Sequence, residues 1–295
     1  MTSFPRGNVI AGIGFMLLSV MLFSLSGAIG KWLVAAYPMG EALLIRSFTA
    51  LLLLAPFLWR AGRSAFTTAP RPRLQVLRAT ISAIEIVCFF WSVAYLPLAD
   101  VITFYLAVPI YVTALAPFAL GEQVGWRRWA AVLVGFAGVL LALKPSTAAL
   151  TTPALVALAG SLLYAVSLII TRVLRNTANV VLVSSQVVGT AVFGLITAPF
   201  GWVTPPLGDF ALMVLFGVLA MGGLPCLNMA LRRAPASVVV PYQYTTIVWG
   251  VVLGYLIFGD EPKAHVLAGA AIIIAAGLFI FFREQRSASR MQRSA

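Results

Sequence analysis

Apolar runs of about 20 residues recur along the whole sequence. Hydrophobic residues occupy 61% of the 295 positions, whereas Asp, Glu, Lys and Arg together occupy only 9%. A soluble domain carries about 25% charged residues. Each run is long enough to cross the roughly 30 Å hydrocarbon core of a bilayer. Because a segment inside lipid must satisfy its own backbone polar groups, the sequence predicts an all-α integral membrane protein.

We predict ten transmembrane helices, joined by connections too short for a soluble domain. They cover residues 9–34, 40–59, 75–95, 98–120, 126–143, 153–173, 180–200, 209–231, 236–258 and 264–282. The first apolar run exceeds the 7–15 residues of a signal-peptide core, so we expect it to be an uncleaved helix.

The basic residues are divided unevenly between the two sets of alternating connections. The net charge is +12, which by itself would allow nucleic-acid binding. One set, however, holds most of the Lys and Arg: Arg6, Arg60, Arg63, Arg71, Arg73, Arg78, Arg127, Arg128, Arg172, Arg175, Arg232, Arg233, Arg283, Arg286, Arg290 and Arg293. The other set holds Lys31, Lys144 and Lys263. This bias predicts that both termini are cytoplasmic and that the basic residues contact anionic lipid rather than nucleic acid.

The two halves of the chain repeat each other. Residues 9–145 align with 150–285, with matches that include Leu22–Ser26 to Leu163–Ser167, Cys88 to Cys226 and Glu122 to Glu261. Each half holds five predicted helices, and an odd number makes the second half enter the membrane from the opposite side. Such inverted repeats are typical of transporters that work by alternating access, with the substrate site near the midplane between the halves.

Longer matching segments carry a family resemblance. The first copy comprises Tyr95–Asp100, Pro109, Leu120–Glu122 and Gly135–Leu141, and the second comprises Ala234–Ser237, Phe258–Pro262 and Gly277. With Arg46 in the second helix, they resemble the EamA-type branch of the drug/metabolite transporter superfamily. The resemblance implies two EamA repeats (9–145 and 150–285), a cytoplasmic tail (286–295), a bacterial inner-membrane location, and a cavity formed mainly by helices 1, 3, 4, 6, 8 and 9.

Glu85 is the strongest candidate for a functional residue. It lies about ten residues from each end of the third predicted helix, and Ser82, Phe89 and Ser92 share its helical face. A charge at the bilayer centre costs at least about 2.5 kcal/mol on insertion scales and normally faces an interior or a cavity. Glu85 would therefore balance a cationic substrate group or carry a coupling proton. The alternative is a structural ion pair, with Arg46 or another partner.

Arg46 lies a turn or two from the outer end of the second predicted helix. One interpretation is that its side chain reaches the interface or pairs with Glu41. The other is that its guanidinium binds a substrate carboxylate or phosphate.

An aromatic and polar cluster begins the ninth predicted helix, with Tyr242, Gln243, Tyr244 and Trp249, and its repeat counterpart includes Tyr105. These rings could stack a planar ligand while Gln243 reads its edge. Asn228 in the eighth helix is a further candidate for substrate contact. Interhelical packing by polar side chains is the alternative for the whole group.

Other chemistries find little support. The single His265 and the two Cys, in different helices, have no metal-site spacing. The sequence contains no Walker A motif, so ATP does not drive transport directly. We expect no metal, no cofactor and no enzyme activity. Glu122 and Glu261, which close the fourth and ninth helices, should bind nearby backbone or basic groups.

The leading hypothesis is a secondary transporter of a cationic or zwitterionic solute similar to S-adenosylmethionine. Riboflavin uptake is the alternative, followed by export of an amino-acid-derived metabolite or metallophore. A coupling proton, an exchanged metabolite and a homodimer stay open as partners. Outside transport, the chain could be an accessory membrane subunit or a lipid flippase component.

Overall fold

The computed structural model of the chain describes residues 6–67, 69–96, 98–143, 151–253 and 264–293. This part of the chain forms thirteen α-helices and one 3-10 helix. In chain order the α-helices are α1 (Arg6–Ala36), α2 (Met39–Ala61), α3 (Ser64–Thr67), α4 (Pro72–Tyr95), α5 (Leu98–Tyr105), α6 (Val108–Leu120), α7 (Trp126–Leu143), α8 (Thr152–Val173), α9 (Asn179–Thr197), α10 (Leu207–Arg233), α11 (Ala236–Val239), α12 (Thr246–Leu253) and α13 (Ala264–Arg293).

Within the described ranges, eight segments are long and apolar enough to cross a membrane, and they match the first eight predicted helices. The ninth predicted helix is interrupted: α11 leads into the 3-10 helix Val240–Thr245, which leads into α12. The tenth is the apolar first part of α13, Ala264–Ile280. The all-α expectation is confirmed. Glu261 and the end of the ninth predicted helix lie outside the described residues.

The fourth predicted helix is also interrupted. It divides into α5 and α6 at Leu106 and Ala107, just before Pro109. Proline has no N–H to donate to the preceding turn, which favours such a break. The repeat alignment places this break opposite the 3-10 helix of the second half.

Counterpart helices of the two halves make equivalent contacts. Helix α1 packs against α10, and its repeat counterpart α8 packs against α4. Helices α2 and α9, which are counterparts, pack against each other, as do α7 and α13. In the α7–α13 contact, a Cβ added at Gly138 would lie 3.0 Å from the carbonyl oxygen of Gly269, so only a small residue allows this approach.

The outer faces of the helices are strongly apolar. Phe118 is 90% exposed and Trp59 is 89% exposed, and many Leu, Ile and Val side chains accompany them. The interior, by contrast, buries polar side chains that include Ser82, Ser92 and Thr113. An exposed apolar surface of this extent indicates an apolar surrounding, as a bilayer provides.

Arg78 is one correction to the sequence interpretation, which placed it among the basic residues of a connection. It lies in the second turn of α4 and is only 1% exposed. Its guanidinium donates hydrogen bonds to the carbonyl of Leu182 and to the side chains of Thr171, Ser185 and Gln186. Arg78 therefore joins α4 to α8 and α9 from inside the protein.

Candidate substrate site

Five aromatic rings form a continuous row through the middle of the helix bundle, which we call the aromatic arc: Phe216, Phe90, Phe89, Tyr105 and Tyr164. The first four meet edge to face, with successive ring centroids 6.3, 5.2 and 5.0 Å apart. Tyr105 and Tyr164 are 6.3 Å apart and inclined by 35°. The arc links α10, α4, α5 and α8, so both repeats contribute to it.

Glu85 lies beside the centre of the aromatic arc, one helical turn before Phe89 on α4. At 1.5 Å per residue it is about 20 Å from the start and about 15 Å from the end of that helix. Its side chain is 9% exposed, and its carboxylate has no salt bridge or hydrogen bond with any residue in the described ranges. Its backbone carbonyl accepts a hydrogen bond of 3.1 Å from the hydroxyl of Tyr105.

A buried carboxylate of this kind is costly unless a cation or a proton neutralises it. Arg46 interacts electrostatically with this carboxylate, without a salt bridge in the described structure. A carboxylate in this position can also bind a positively charged group of a ligand, and the aromatic faces nearby attract cations as well.

Arg46 lies at the other end of the aromatic arc. Its guanidinium carbon is 4.8 Å from the ring centroid of Phe216, and its Nε atom is buried without a hydrogen-bond partner among the described residues. Arg46 and Glu85 interact electrostatically, yet they do not form a salt bridge. Glu41 makes no salt bridge with Arg46 in the described structure, and its Oε2 accepts a hydrogen bond of 3.0 Å from the backbone N–H of Val203.

Gln243 brings the second repeat's interrupted helix to the aromatic arc. Its Nε2 donates a hydrogen bond of 2.8 Å to the hydroxyl of Tyr164. The 3-10 conformation of Val240–Thr245 presents this side chain inward, where it is 7% exposed. The aromatic-lined site therefore holds three different polar groups: the amide of Gln243, the guanidinium of Arg46 and the carboxylate of Glu85.

Several of the residues predicted from the sequence make interhelical contacts instead. Ser82 shares a 2.7 Å hydrogen bond with Ser167, and Ser92 donates one of 3.1 Å to the carbonyl of Pro153, so both join α4 to α8. Asn228 donates to the side chain of Asn179 at 3.0 Å, which joins α10 to α9.

Three further predicted residues contact neighbouring helices. Tyr242 donates a hydrogen bond of 3.1 Å to the carbonyl of Gly277 in α13. Tyr244 packs against Gly135 of α7, where an added Cβ would collide with its ring. Trp249 packs against the apolar core around α1. These three side chains hold the interrupted helix against its neighbours.

Sequence reasoning missed Phe90 and Phe216. Both lie in helices rich in apolar residues, where a phenylalanine that faces the interior has the same sequence signature as one that faces lipid. The internal repeat nevertheless carried a signal for an interior position of Phe216. At the offset of 138 residues that relates Cys88 to Cys226, Phe216 aligns with Arg78. Both positions of that pair point into the bundle.

Glu122 organises one end of the bundle. Its carboxylate accepts hydrogen bonds from the N–H groups of Ala236 and Ser237 at 2.9 and 3.0 Å, and from the Ser237 hydroxyl at 2.6 Å. Its Oε1 also lies 3.4 Å from Nε of Arg172. Arg128 donates to the same Ser237 hydroxyl at 2.7 Å. The expectation that Glu122 binds backbone and basic groups is confirmed.

No group of three or more His, Cys, Asp or Glu side chains that could hold a metal ion occurs within the described ranges.

Similar proteins agree with this picture. The chain is 29% identical to an S-adenosylmethionine uptake transporter of Rickettsia felis over 97% of both chains. It is 30% identical to a riboflavin transporter of Rhizobium johnstonii, over 95% of this chain and 93% of the relative. A pseudopaline exporter of Pseudomonas aeruginosa is 27% identical over 90% of this chain and 94% of its own length.

A solved structure has the same fold, with a TM-score of 0.78 at 16% identity, over 96% of this chain and 99% of the other. The family model of the EamA-like transporters matches the chain twice, at residues 10–144 and 151–282. The resemblance seen in the sequence is thereby confirmed, with its two repeats and its multi-pass membrane architecture. The chain belongs to the EamA-like transporter family.

Proposed function

We propose that this transporter moves a cationic or zwitterionic metabolite similar to S-adenosylmethionine by alternating access. The transport of a small metabolite follows from the family, and the proposal concerns which metabolite and how. The observation that carries it is Glu85, a buried carboxylate that makes no salt bridge in the described structure and lies beside the aromatic arc. A sulfonium or ammonium group would neutralise this carboxylate and contact the adjoining ring faces.

The topology completes the proposal. We propose ten transmembrane helices in two inverted repeats, residues 9–145 and 150–285, with the segment 286–295 as a cytoplasmic tail. The paired helix contacts support this arrangement. The excess of Arg in alternate connections supports cytoplasmic termini in the inner membrane of a bacterium. The chain has no enzyme activity in this proposal, and it acts alone or as a homodimer.

Transport would follow from neutralisation of Glu85. When no ligand is bound, the carboxylate holds a proton or remains solvated by water in the open cavity. A cationic ligand replaces that proton or water, which allows the site to close around a neutral pair. After the ligand is released on the other side, the carboxylate binds a proton or an exchanged metabolite. A site that closes only when Glu85 is neutralised couples ligand binding to the change of access.

Riboflavin is the second candidate, and the aromatic arc favours it. Its isoalloxazine ring could stack on aromatic side chains, with Gln243 reading its edge. It carries no positive charge for Glu85, however, and supplies no charged group to either Glu85 or Arg46. Export of an amino-acid-derived metabolite, as the pseudopaline exporter relative suggests, would use the same charged groups in the opposite direction.

The test begins with ligand-induced stabilisation of the detergent-purified protein. A ligand at 100 times its Kd adds about 2.7 kcal/mol to the state that binds it, so thermal shift separates the candidates. We expect S-adenosylmethionine to stabilise the wild type. We expect little stabilisation of Glu85→Gln, and normal stabilisation of Glu284→Gln, a matched change in the polar end of α13.

Flux into reconstituted vesicles completes the test. Glu85→Gln should insert and fold normally but transport at least about 10-fold more slowly, because a lost charged hydrogen bond costs about 1.5–3 kcal/mol. Stabilisation by riboflavin alone would select the second candidate. Wild-type transport by Glu85→Gln would remove Glu85 from the binding and coupling mechanism.

A further inference from the structure

One side chain of α8 contacts both interrupted helices. Tyr105, the last residue of α5, comes directly before the break at Leu106 and Ala107. Gln243 lies in the 3-10 helix that interrupts the second repeat. The offset of 138 residues that relates the two cysteines also relates Tyr105 to Gln243, so the two are counterpart residues at counterpart interruptions. Both reach the side chain of Tyr164.

Tyr105 lies against α8 at Gly160 and Tyr164, which are one helical turn apart. Its ring centroid is 6.3 Å from that of Tyr164, within the range of interacting aromatic pairs. A Cβ added at Gly160 would meet the Tyr105 hydroxyl, so the phenol end of the ring rests on the backbone of α8. The same hydroxyl donates a hydrogen bond to the backbone carbonyl of Glu85. Glu85 is therefore joined by one hydrogen bond to the ring that pairs with Tyr164.

Gln243 depends on Tyr164 for its orientation. Its Nε2 donates a 2.8 Å hydrogen bond to the Tyr164 hydroxyl, and its side chain makes no other hydrogen bond to a described residue. A buried amide that loses such a partner is destabilised. Tyr164 in turn extends from a firmly packed stretch of α8, where Ser161 and Ala165 are 0% exposed and Leu168 is 1% exposed.

The internal repeat supplies no second connection of this kind. The alignment of Leu22–Ser26 with Leu163–Ser167 makes Phe23 the counterpart of Tyr164. Phe23 packs against α10, where a Cβ added at Gly223 would lie 2.7 Å from its ring. Because phenylalanine has no hydroxyl, it cannot hold a polar side chain as Tyr164 does. Tyr164 therefore makes a contact that its symmetry-related position cannot make.

We propose that Tyr164 couples the two interrupted helices, so that the segments on either side of the interruptions reorient together. The inference rests on the proposed function and adds the residue that connects ligand binding in the first repeat to the second. A ligand that fixes Glu85 thereby fixes Tyr105, and Tyr164 extends this effect to Gln243. Tyr164 is a positioning residue, since it acts through these neighbours. Packed rings and hydrogen bonds are the contacts through which such coupling is carried.

The first experiment separates coupling from binding. The Kd of S-adenosylmethionine and its uptake rate at saturation are measured with the full-length protein for the wild type and Tyr164→Phe. This change keeps the ring beside Tyr105 and removes only the hydroxyl. The matched control is Tyr95→Phe, at a residue that is 64% exposed at the end of α4.

In Tyr164→Phe the saturated uptake rate should fall about 3- to 10-fold, as expected for the loss of one neutral hydrogen bond, while the Kd stays unchanged. The control should match the wild type in both quantities. A weaker Kd with an unchanged saturated rate would instead make Tyr164 a ligand contact. A lower Tm with an unchanged rate per folded molecule would make its hydroxyl purely structural. Either result overturns the proposal.

Amide hydrogen exchange tests the coupling without a ligand. Tyr105→Phe removes the hydrogen bond to Glu85 beside the first interruption. With Tyr164 present, this change should speed exchange in the distant segment Val240–Thr245 by about 3- to 10-fold. In the Tyr164→Phe background, it should leave that segment unaffected.

An equal effect of Tyr105→Phe in both backgrounds would refute the coupling, because positions that act independently are additive. No effect in either background would refute it as well. If the wild type neither binds nor transports S-adenosylmethionine, the substrate of the proposed function is wrong, and the exchange measurement still decides whether Tyr164 connects the two interruptions.

Discussion

Glu122 and Arg172 form a buried ion pair, 3.4 Å between Oε1 and Nε, that joins the first repeat to the second at one end of the bundle. The same carboxylate binds the first two N–H groups of α11, and Arg172 donates to the carbonyl of Leu231 at the end of α10. This pair of residues thus holds together the ends of α6, α8, α10 and α11. In the proposed topology this is the cytoplasmic end.

Breaking this pair should destabilise the protein strongly. In Glu122→Gln the guanidinium of Arg172 stays buried without its counter-charge, which typically costs about 3–5 kcal/mol. We expect a clearly lower Tm in detergent than for Arg127→Gln, a change at an exposed position nearby. In the double variant Glu122→Gln with Arg172→Gln, the loss should be smaller than the sum of the single losses. Additive losses would show that the two residues act independently.

Arg78 should not tolerate replacement by lysine. Its two terminal nitrogens reach acceptors on both α8 and α9, and a single ammonium group cannot cover that spread. Arg78→Lys should lose about 1–3 kcal/mol of stability, since buried acceptors are left without donors. The same substitution at the exposed Arg73 of α4 is the control. Equal Tm values for the two variants would contradict the role assigned to Arg78.

Gly160 should be required for the shape of the aromatic arc. A Cβ at this position of α8 would meet the Tyr105 hydroxyl and lie 2.8 Å from the Cβ of Cys88. In Gly160→Ala the Tyr105 ring must move away from Glu85, at a typical overpacking cost of about 1–3 kcal/mol. Vesicle flux should fall at least about 10-fold. Gly27→Ala, where an added methyl group meets no atom within 4 Å, should transport normally.

Tyr37, which follows α1, should give a pH-dependent contribution to stability. Its hydroxyl donates a hydrogen bond to Asp209, and this bond raises the pKa of Tyr37 to about 12. Because the pKa in the unfolded chain is about 10, the contribution is complete below that pH and is lost as the pH rises towards 12. The Tm difference between the wild type and Tyr37→Phe should therefore shrink over this interval. A difference independent of pH would contradict this linkage.

The sequence predicted the helices well because membrane insertion depends on local composition. An apolar run of 20 residues must form a helix in lipid wherever it packs, so the boundaries of α1, α2, α7 and α8 followed from hydropathy alone. That Glu85 makes no salt bridge to a described residue, by contrast, did not follow from the sequence. It depends on which side chains of other helices stand opposite, and a sequence does not specify that.

The partners of the candidate site residues did not follow from the sequence for the same reason. The sequence allowed Arg46 to pair with Glu41 or to bind a substrate anion, and the structure places it on the ring of Phe216 from α10. Asn228, a predicted substrate contact, donates a hydrogen bond to Asn179 of α9. A polar residue in an apolar helix signals an interior position, but its partner is decided by the packing of helices distant in sequence.

The interrupted helices have a mechanical consequence. A continuous helix moves as one rod, so displacing one end displaces the other. The α5–α6 pair and the α11–α12 pair each have a joint at the level of the aromatic arc, formed by Leu106 and Ala107 in one case and by the 3-10 helix in the other. Each span therefore consists of two rigid segments joined beside the candidate substrate site. In the proposed alternating access, one half-span would swing outward at one end of the bundle while the opposite half-span and the rings beside the joint keep their positions.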